Sequence, residues 1–588
     1  MRKWLALLLA SLMLLGLVAC GGNGNENSSA ADSAATSSEG SVGESSTPVG
    51  DSSTPDSSTP DSSTPDTSVS DSTDSGSSTP VSSDVQIITP SRDRTTNTTS
   101  DTGTTTTTTR PAPDSLSYST ENESPVTYDT SILYNEMHSE SDDEAAALKK
   151  TVLNATDTVK PSTSGTTYYV SYKGNDKNDG KSKATAWRTT KRVGEAVKQL
   201  KSGDVVLFER GGVYRGTMMA VSGLKIGAYG SGSKPQLYAG PCNVAQEYLW
   251  QQTKYKNVWK LSVKGISDIG NVVFDHGKVC ASTTRMMKEN LVTDSSKNPR
   301  DFYYYHNVTA GYVYMYYSKG NPGAAFDSIE LCPKDTIISA ATAETNIKNV
   351  VVDNLCLRYS GAFGVAFRSC SNITVTNCEV GYIGGSLQNA STRYGNGIEL
   401  NGKVNGATIK NNWIYQCYDA GYTHQCGGDE IGIRVDANLI EYCNYNIEFF
   451  LSTTGRIEAV FENNILRFAG YGFGTKNRYG SNDSCVGNVT GTKLPTDSAG
   501  SVFRNNIFDT SLRALVMVSH TDGVNGPKFE GNTYIQWNDT NSASFNLFNK
   551  SASSNPVSFA QKVTDEKSLK DAIAKVDSTA TVVFYKKK

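Results

Sequence analysis

None of the eleven cysteines in this 588-residue chain forms a C-x-x-C pair, so the usual zinc-site spacing is missing. Beyond the first twenty residues no apolar run is long enough to span a bilayer. A tight aspartate cluster is also lacking. GNDKNDG at 174–180 has calcium-type residues at the wrong intervals for an EF-hand, and Asn/Asp/Gly clusters of this kind form turns. Long amphipathic helical stripes are scarce too, because most apolar runs alternate with period two and are too short for helices.

What is present divides into three parts. The chain opens MRKWLALLLASLMLLGLVACGGN, two basic residues followed by a short apolar run, which reads as a secretory signal over 1–20. Leu17-Val18-Ala19 before Cys20 resembles the bacterial lipoprotein cleavage box, and the resemblance implies lipidation of Cys20. The protein would then be exported, lipid-anchored to the outer face of a bacterial membrane and displayed at the cell surface. From 21 to 165 the sequence is rich in Ser, Thr, Pro, Asp and Gly, including DSSTPDSSTPDSSTPD. Such a stretch has too little apolar surface to offset its ordering entropy, so a disordered tether is expected, with EAAALKKTVLNA able to form a short helix. The third part, 166–588, carries 47 basic against 36 acidic residues although the whole chain is at −4. An exported basic domain attracts polyanions such as uronic-acid polysaccharides.

From Asn349 a phrase recurs: NVVVDNLCL, NITVTNCEV, ATIKNNWIY, IRVDANLIE, AVFENNILR, SVFRNNIFD, KFEGNTYIQ. Aligning its asparagines gives Asn354, Asn377, Asn412, Asn438, Asn464, Asn506 and Asn532, with Asn488 a weaker member. A recurrence of this length indicates a solenoid. Stacked strands about 4.8 Å apart would let each inward asparagine bond the next one, so these amides are structural. Cys356, Cys370, Cys378, Cys417, Cys426 and Cys443 fall in the apolar runs and are expected as buried free thiols.

Ahead of the repeats, Val193, Ala196, Val197 and Leu200 form one helical stripe fit to plug the open end of a coil. YYVSYKGNDKNDGKS, LKSGDVVLFERGGVYRG and GLKIGAYGSGSKP resemble the N-terminal region of carbohydrate-active right-handed parallel β-helix proteins of the pectin-lyase-like superfamily. The resemblance runs from about Thr166 to the C-terminus. It implies an all-β fold, a right-handed parallel β-helix solenoid with an N-terminal capping helix and inserted β-hairpins. Within it we place an N-cap at 166–240, tyrosine-rich hairpins at 241–335, main coils at 336–550 and a C-terminal cap at 551–588. Leu569, Ala572, Ile573 and Val576 form the closing stripe. The family includes hydrolases, lyases, epimerases and noncatalytic surface proteins, so the fold does not select a reaction.

Two loop-bearing rungs concentrate polar chemistry: GYIGGSLQNASTRYGNGIELNGK and YDAGYTHQCGGDE. Counting back from the asparagine that closes each rung aligns Arg393 with Asp419 and Glu399 with Gln425. Matching GNGIEL to NYNIEFF by parity instead points Glu399 and Glu448 outward, two rungs apart, with Asp419 on the rung between. Candidate catalytic residues are Asp419 with Glu399 or Glu448, since glycoside hydrolysis needs paired carboxylates. Arg393, Tyr394, Tyr422, His424, Gln425 and Lys476 are candidate substrate ligands, with His424 equally able to be an inward core residue. RYGNGIEL and YDAGYTHQ also resemble phrases of β-helix glycoside hydrolases acting on plant cell-wall polymers such as xylan or pectin side chains. The expected function is therefore a surface polysaccharide-degrading enzyme, a glycoside hydrolase. The alternatives are a polysaccharide lyase on uronic-acid polymers, using Arg393, His424, Lys476 or Arg478 and often calcium, and a noncatalytic carbohydrate-binding or adhesive module. The expected partner is a polysaccharide and not nucleic acid. The sequence establishes no cofactor and leaves calcium open, membrane contact would be by lipid alone, and a capped coil suits a monomer.

Overall fold

The structure is a computed structural model that describes residues 111–126, 133, 136–283, 291, 300–389, 392–425, 427–450, 455–477, 485–491, 500–512, 514–520, 527–538, 544–550, 557–562, 565–575 and 577–586. Alternating apolar residues between turn signals form short strands that pair in parallel with the strand one repeat later. One sheet of ten strands runs from Val213–Arg215 to Thr581–Lys586, and a larger sheet of nineteen strands covers the other faces. Val365–Thr376 and Ile398–Lys410 each bend through two faces as one strand, whereas later rungs split this path, as in Ala420–Gln425 followed by Glu430–Asp436. The product is a parallel β-helix. Its interior holds stacked apolar files, for example Phe461, Phe503 and Phe529 with ring centroids 4.4 and 5.1 Å apart.

The asparagine repeat resolves into two files. At one corner Asn354, Asn377, Asn411, Asn463 and Asn505 take positive φ, a conformation asparagine tolerates better than most residues. The following position points inward, and there Asn412, Asn438, Asn464, Asn506 and Asn532 form the ladder. Each of the first four donates Nδ2 to the next Oδ1, at 3.0, 2.9, 2.9 and 3.1 Å. Asn354 and Asn377 therefore belong to the corner file and not to the ladder, because Leu355 and Cys378 occupy the inward slots beneath Asn412. Asn488 is also outside the ladder, paired in register with Glu448. The ladder ends on a carboxylate: Asp577 Oδ2 accepts from Asn532 Nδ2 at 2.9 Å and from its backbone N–H at 3.0 Å.

Both ends are closed. Thr189 caps the helix Thr190–Glu195, with Val193, Ala196 and Leu200 buried below it. The helix Glu566–Ile573 buries Leu569, Ala572 and Ile573 behind an Asp565–Ser568 capping box, while Val576 lies outside the described residues. GNDKNDG is a turn. Its Asp176 carboxylate accepts from the N–H groups of Arg188 and Thr189 and from the Thr189 hydroxyl. The inserted hairpins form a largely antiparallel sheet whose inner face packs Leu261, Tyr304, Val313 and Met315. On the outer face Tyr303, Tyr305, Tyr312, Tyr314 and Tyr316 cluster with Val258 and Leu291. Cys356, Cys370, Cys378, Cys417 and Cys443 are buried and free, and Cys426 is outside the described residues.

The stretch assigned to a tether does not read as one throughout. Residues 111–126 and 136–165 lie along the coil, and the helix Asp142–Leu153 docks Ala145 and Val152 onto the ten-strand face. Asp142 pairs with Arg467 at 2.6 Å, Lys149 sits 4.0 Å from the Trp413 ring centroid, and Thr158 N–H donates to Asp353. Composition hides this strap because apolar anchors such as Val126 and Val159 are isolated among polar residues. They gain burial only against a surface that already exists. Cys20 and its flanks lie outside the described residues.

Asp577 is 1% exposed. Burial raises its pKa, but hydrogen bonds from Asn532 and Thr579 outweigh that and hold it below the ordinary value. A depressed folded pKa contributes stability that is present above the unfolded value of about 3.9 and is lost as pH falls through the folded value. Asp577→Ala should cost about 2–3 kcal/mol at neutral pH by stranding the Asn532 amide. In urea denaturation the gap from wild type should shrink on acidification.

Candidate active site

Four consecutive strands build the site: β1 (Val365–Thr376), β2 (Ile398–Lys410), β3 (Ala420–Gln425) and β4 (Tyr445–Phe450). Their register stacks Ala366, Glu399, Thr423 and Glu448 in one file, and Arg368, Asn401 and Gln425 in the next outward file. The residues between these files face the interior: Phe367, Leu400, His424 and Phe449. Glu399 and Glu448 are therefore on the same flank with one rung between them, about 9–10 Å apart along the backbone stack. A stacked glycine precedes each of β1 and β2. A Cβ on Gly364 would lie 2.5 Å from the Gly397 carbonyl oxygen, and one on Gly397 2.5 Å from that of Gly421. Only glycine lets the chain enter these strands so tightly.

Glu399 is 8% exposed. Its Oε2 accepts from Asn396 Nδ2 at 2.7 Å and its Oε1 from Asn401 Nδ2 at 3.3 Å. Burial pushes its pKa up to about 7 against the opposing effect of those two amides. The Asp419 charge raises it further and Arg368 lowers it. Asn396 is fixed in turn by accepting the Ala420 N–H at 2.8 Å. Glu448, 6% exposed, accepts at Oε2 from Gln425 Nε2 at 3.0 Å and from Thr423 Oγ1 at 3.2 Å. Half-buried Asp419 is held by its backbone, with its N–H on the Gly395 carbonyl and its own carbonyl accepting from Asn444 and Tyr445. Tyr394 also reaches this flank. Its hydroxyl pKa is raised first by burial and then by the Glu399 charge.

Several expected ligands lie elsewhere. Arg393 does not pair with Asp419. It sits on the hairpin Ser386–Leu387/Arg393–Tyr394, donates to the Gly385 carbonyl and lies 3.9 Å from Asp268. The backward count slipped because two residues separate Asn401 from Val404 while four separate the equivalent Gln425 and Glu430. The same slip paired Glu399 with Gln425, whereas its neighbour in register is Thr423. Tyr422 and His424 are fully buried inside the coil and cannot touch a substrate. The Tyr422 hydroxyl bonds His424 Nε2, and His424 Nδ1 lies 2.5 Å from Glu430 Oε2. Parity requires this: once Thr423 and Gln425 point out, Tyr422 and His424 must point in. Trp413 is buried on the ten-strand sheet, donating to Glu441. The Lys476 side chain and Arg478 are outside the described residues.

Residue-by-residue reading overlooked Asn396, Asn401 and Thr423. The signal for Asn396 was available in GNGIEL, three residues before Glu399. Asp268, on the hairpin insert, bonds the Leu387 N–H and lies 3.2 Å from His306 Nδ1, and no local pattern announces it. Among the described residues no group of three or more His, Cys, Asp or Glu side chains could hold a metal ion.

No protein-family model matches the sequence, and no curated protein is detectably similar to it. Similar solved structures include XylC in complex with xylose, 12% identical with a TM-score of 0.34, covering 65% of this chain and 71% of that one. A GH136 lacto-N-biosidase from Eubacterium ramulus is 13% identical with a TM-score of 0.31, covering 63% and 64%. The pectate lyase Pel9A is 13% identical with a TM-score of 0.30, covering 63% and 79%.

A carboxyl pKa raised by folding destabilises the protein progressively as pH climbs from the unfolded value, about 4.3, through the folded value near 7. Glu399→Gln should therefore be more stable than wild type at pH 8, by up to about 3 kcal/mol, and close to wild type at pH 4. Thermal unfolding across that range tests the assignment of this buried acid without reference to activity.

Proposed function

We propose that this protein is a polysaccharide-degrading glycoside hydrolase acting on plant cell-wall polysaccharide of the xylan or pectin type. The observation that carries this reading is a pair of glutamates on one flank, of which Glu399 is an acid half-protonated near neutrality. Such an acid can protonate a leaving glycosidic oxygen at physiological pH. Glu448, with Oε2 oriented by Gln425 and Thr423, acts as the base that activates water. Asp419 sustains the proton on Glu399 through its charge. The two-rung separation, about 9–10 Å before side chains lean, is nearer to the roughly 6.5–9.5 Å of an inverting pair than to the roughly 5–5.5 Å of a retaining one. Export with lipidation at Cys20 belongs to the same proposal, and Cys20→Ala should release the protein from the membrane fraction.

Arg368, exposed in the file beside Glu399, favours a second reading, a lyase that neutralises a uronate carboxylate with a cation. The two reactions leave different products. A hydrolase yields reducing ends without ultraviolet absorbance, whereas a lyase yields an unsaturated, absorbing product and often loses activity to calcium chelation.

Glu399→Gln and Glu448→Gln should each lower turnover of the cleaved polysaccharide by about a hundredfold to ten-thousandfold while retaining binding. The wild-type rate should fall as pH rises through about 7 with deprotonation of Glu399. Unchanged turnover in both variants overturns the assignment, and binding without any turnover by wild type favours the adhesive module.

A further inference from the structure

The glutamate file does not stop at Glu399. Toward the N-terminal end of the coil the same outward slot is filled by Ala366 and then Ser339. Both are small and half-buried, so over two rungs, about 10 Å at one strand spacing per rung, the side chains of this file are shorter than Glu399 and leave a shallow trough beside it. Its walls are unlike each other. Phe363 precedes Ala366 by three residues, as Asn396 precedes Glu399, and the Asn396 amide leans over to reach the Glu399 carboxylate at 2.7 Å. Phe363 thus stands one rung below Asn396 on the same side. The Tyr394 ring meets it at 5.1 Å and 76°, with Lys334 Nζ 5.7 Å from the Tyr394 centroid. Across the trough, two residues beyond Ala366 on the same strand, stands exposed Arg368.

We propose that this trough is a sugar-binding subsite that holds about two rings of the polysaccharide chain on the N-terminal side of Glu399, with Phe363 and Tyr394 supplying the stacking wall. The proposal rests on the reading of Glu399 as part of the reacting pair, because that places the scissile bond at the head of the trough. A floor of small side chains beside an aromatic wall suits the flat apolar face of a pyranose, and Arg368 at the rim offers donors to ring hydroxyls or to a uronate. The same file is filled by glutamates farther along. Small residues on two consecutive rungs immediately before them leave space where a chain must enter or leave.

Calorimetric titration of the full chain with β-1,4-xylo-oligosaccharides and with oligogalacturonides, disaccharide to hexasaccharide, separates neutral from uronate rings. For at least one series, wild type should bind the tetrasaccharide about tenfold more tightly than the disaccharide. Ala366→Trp and Ser339→Trp fill the trough and Phe363→Ala removes its wall, so each should abolish that dependence on length. Circular dichroism identifies any variant that fails to fold, and the remaining ones decide. Length dependence that survives in the folded variants, or its absence in wild type, overturns the subsite. Turnover by Glu399→Gln is judged separately. Loss of length dependence without any cleavage by wild type sinks the hydrolase reading and leaves the subsite, and abolished turnover with length dependence intact does the reverse.

Discussion

Hydrogen bonding between successive turns, held in phase by the interior amide ladder, is the constraint on which every other feature of this protein depends. Each ladder asparagine both donates to and accepts from its neighbours, so displacing one turn by a single residue would bury several unpaired amides at a cost of about 1–3 kcal/mol each. Because the side-chain period of a strand is two, such a slip would also turn Glu399, Thr423 and Glu448 into the core and Leu400 and His424 outward. The ladder thus fixes what the flank presents, although none of its members touches that flank. Its last link is a carboxylate supplied by the C-terminal cap, which ties closure of the coil to its register.

The flank has its own energetic logic. An acid at 8% exposure is disfavoured in its charged form, and the Arg368 charge offsets this only in part. Two amides accommodate Glu399, and the nearby Asp419 charge works in the same direction as burial. The arrangement sacrifices stability at high pH for a proton available near neutrality. Some buried charges elsewhere in the coil are neutralised directly, as with Arg358 and Glu379 at 2.7 Å or Arg215 between Glu123 and Glu330.

The alternation in GNGIEL and NYNIEFF was enough to place Glu399 and Glu448 on one outward file two rungs apart, because parity survives any change in loop length. Counting back from the closing asparagine was not, since two extra residues after Gln425 shift every inferred neighbour. That error put Arg393 beside Asp419. Parity would also have turned Tyr422 and His424 inward, had it been applied to the whole of YDAGYTHQ. The doubled asparagines of NNW, NNI and NNI carried two separate roles, corner and ladder, which a single alignment merged. Residues 111–165 look like spacer in composition, yet much of this stretch lies against the coil.

By itself the sequence determined the coil, its strand parity, its two caps and the free, buried state of the five described cysteines in its repeated apolar runs, since these follow from local periodicity and side-chain size. Only the tertiary structure decided which groups meet: Asn396 with Glu399, Gln425 with Glu448, Asp268 with the β-hairpin that carries Tyr394, and the strap with the ten-strand face. Apart from Asn396 and Glu399, three residues apart, those meetings join residues distant in the chain through loops of unequal length. Their energies come from burial and from charge at distances of a few ångströms, which no interval along the sequence encodes.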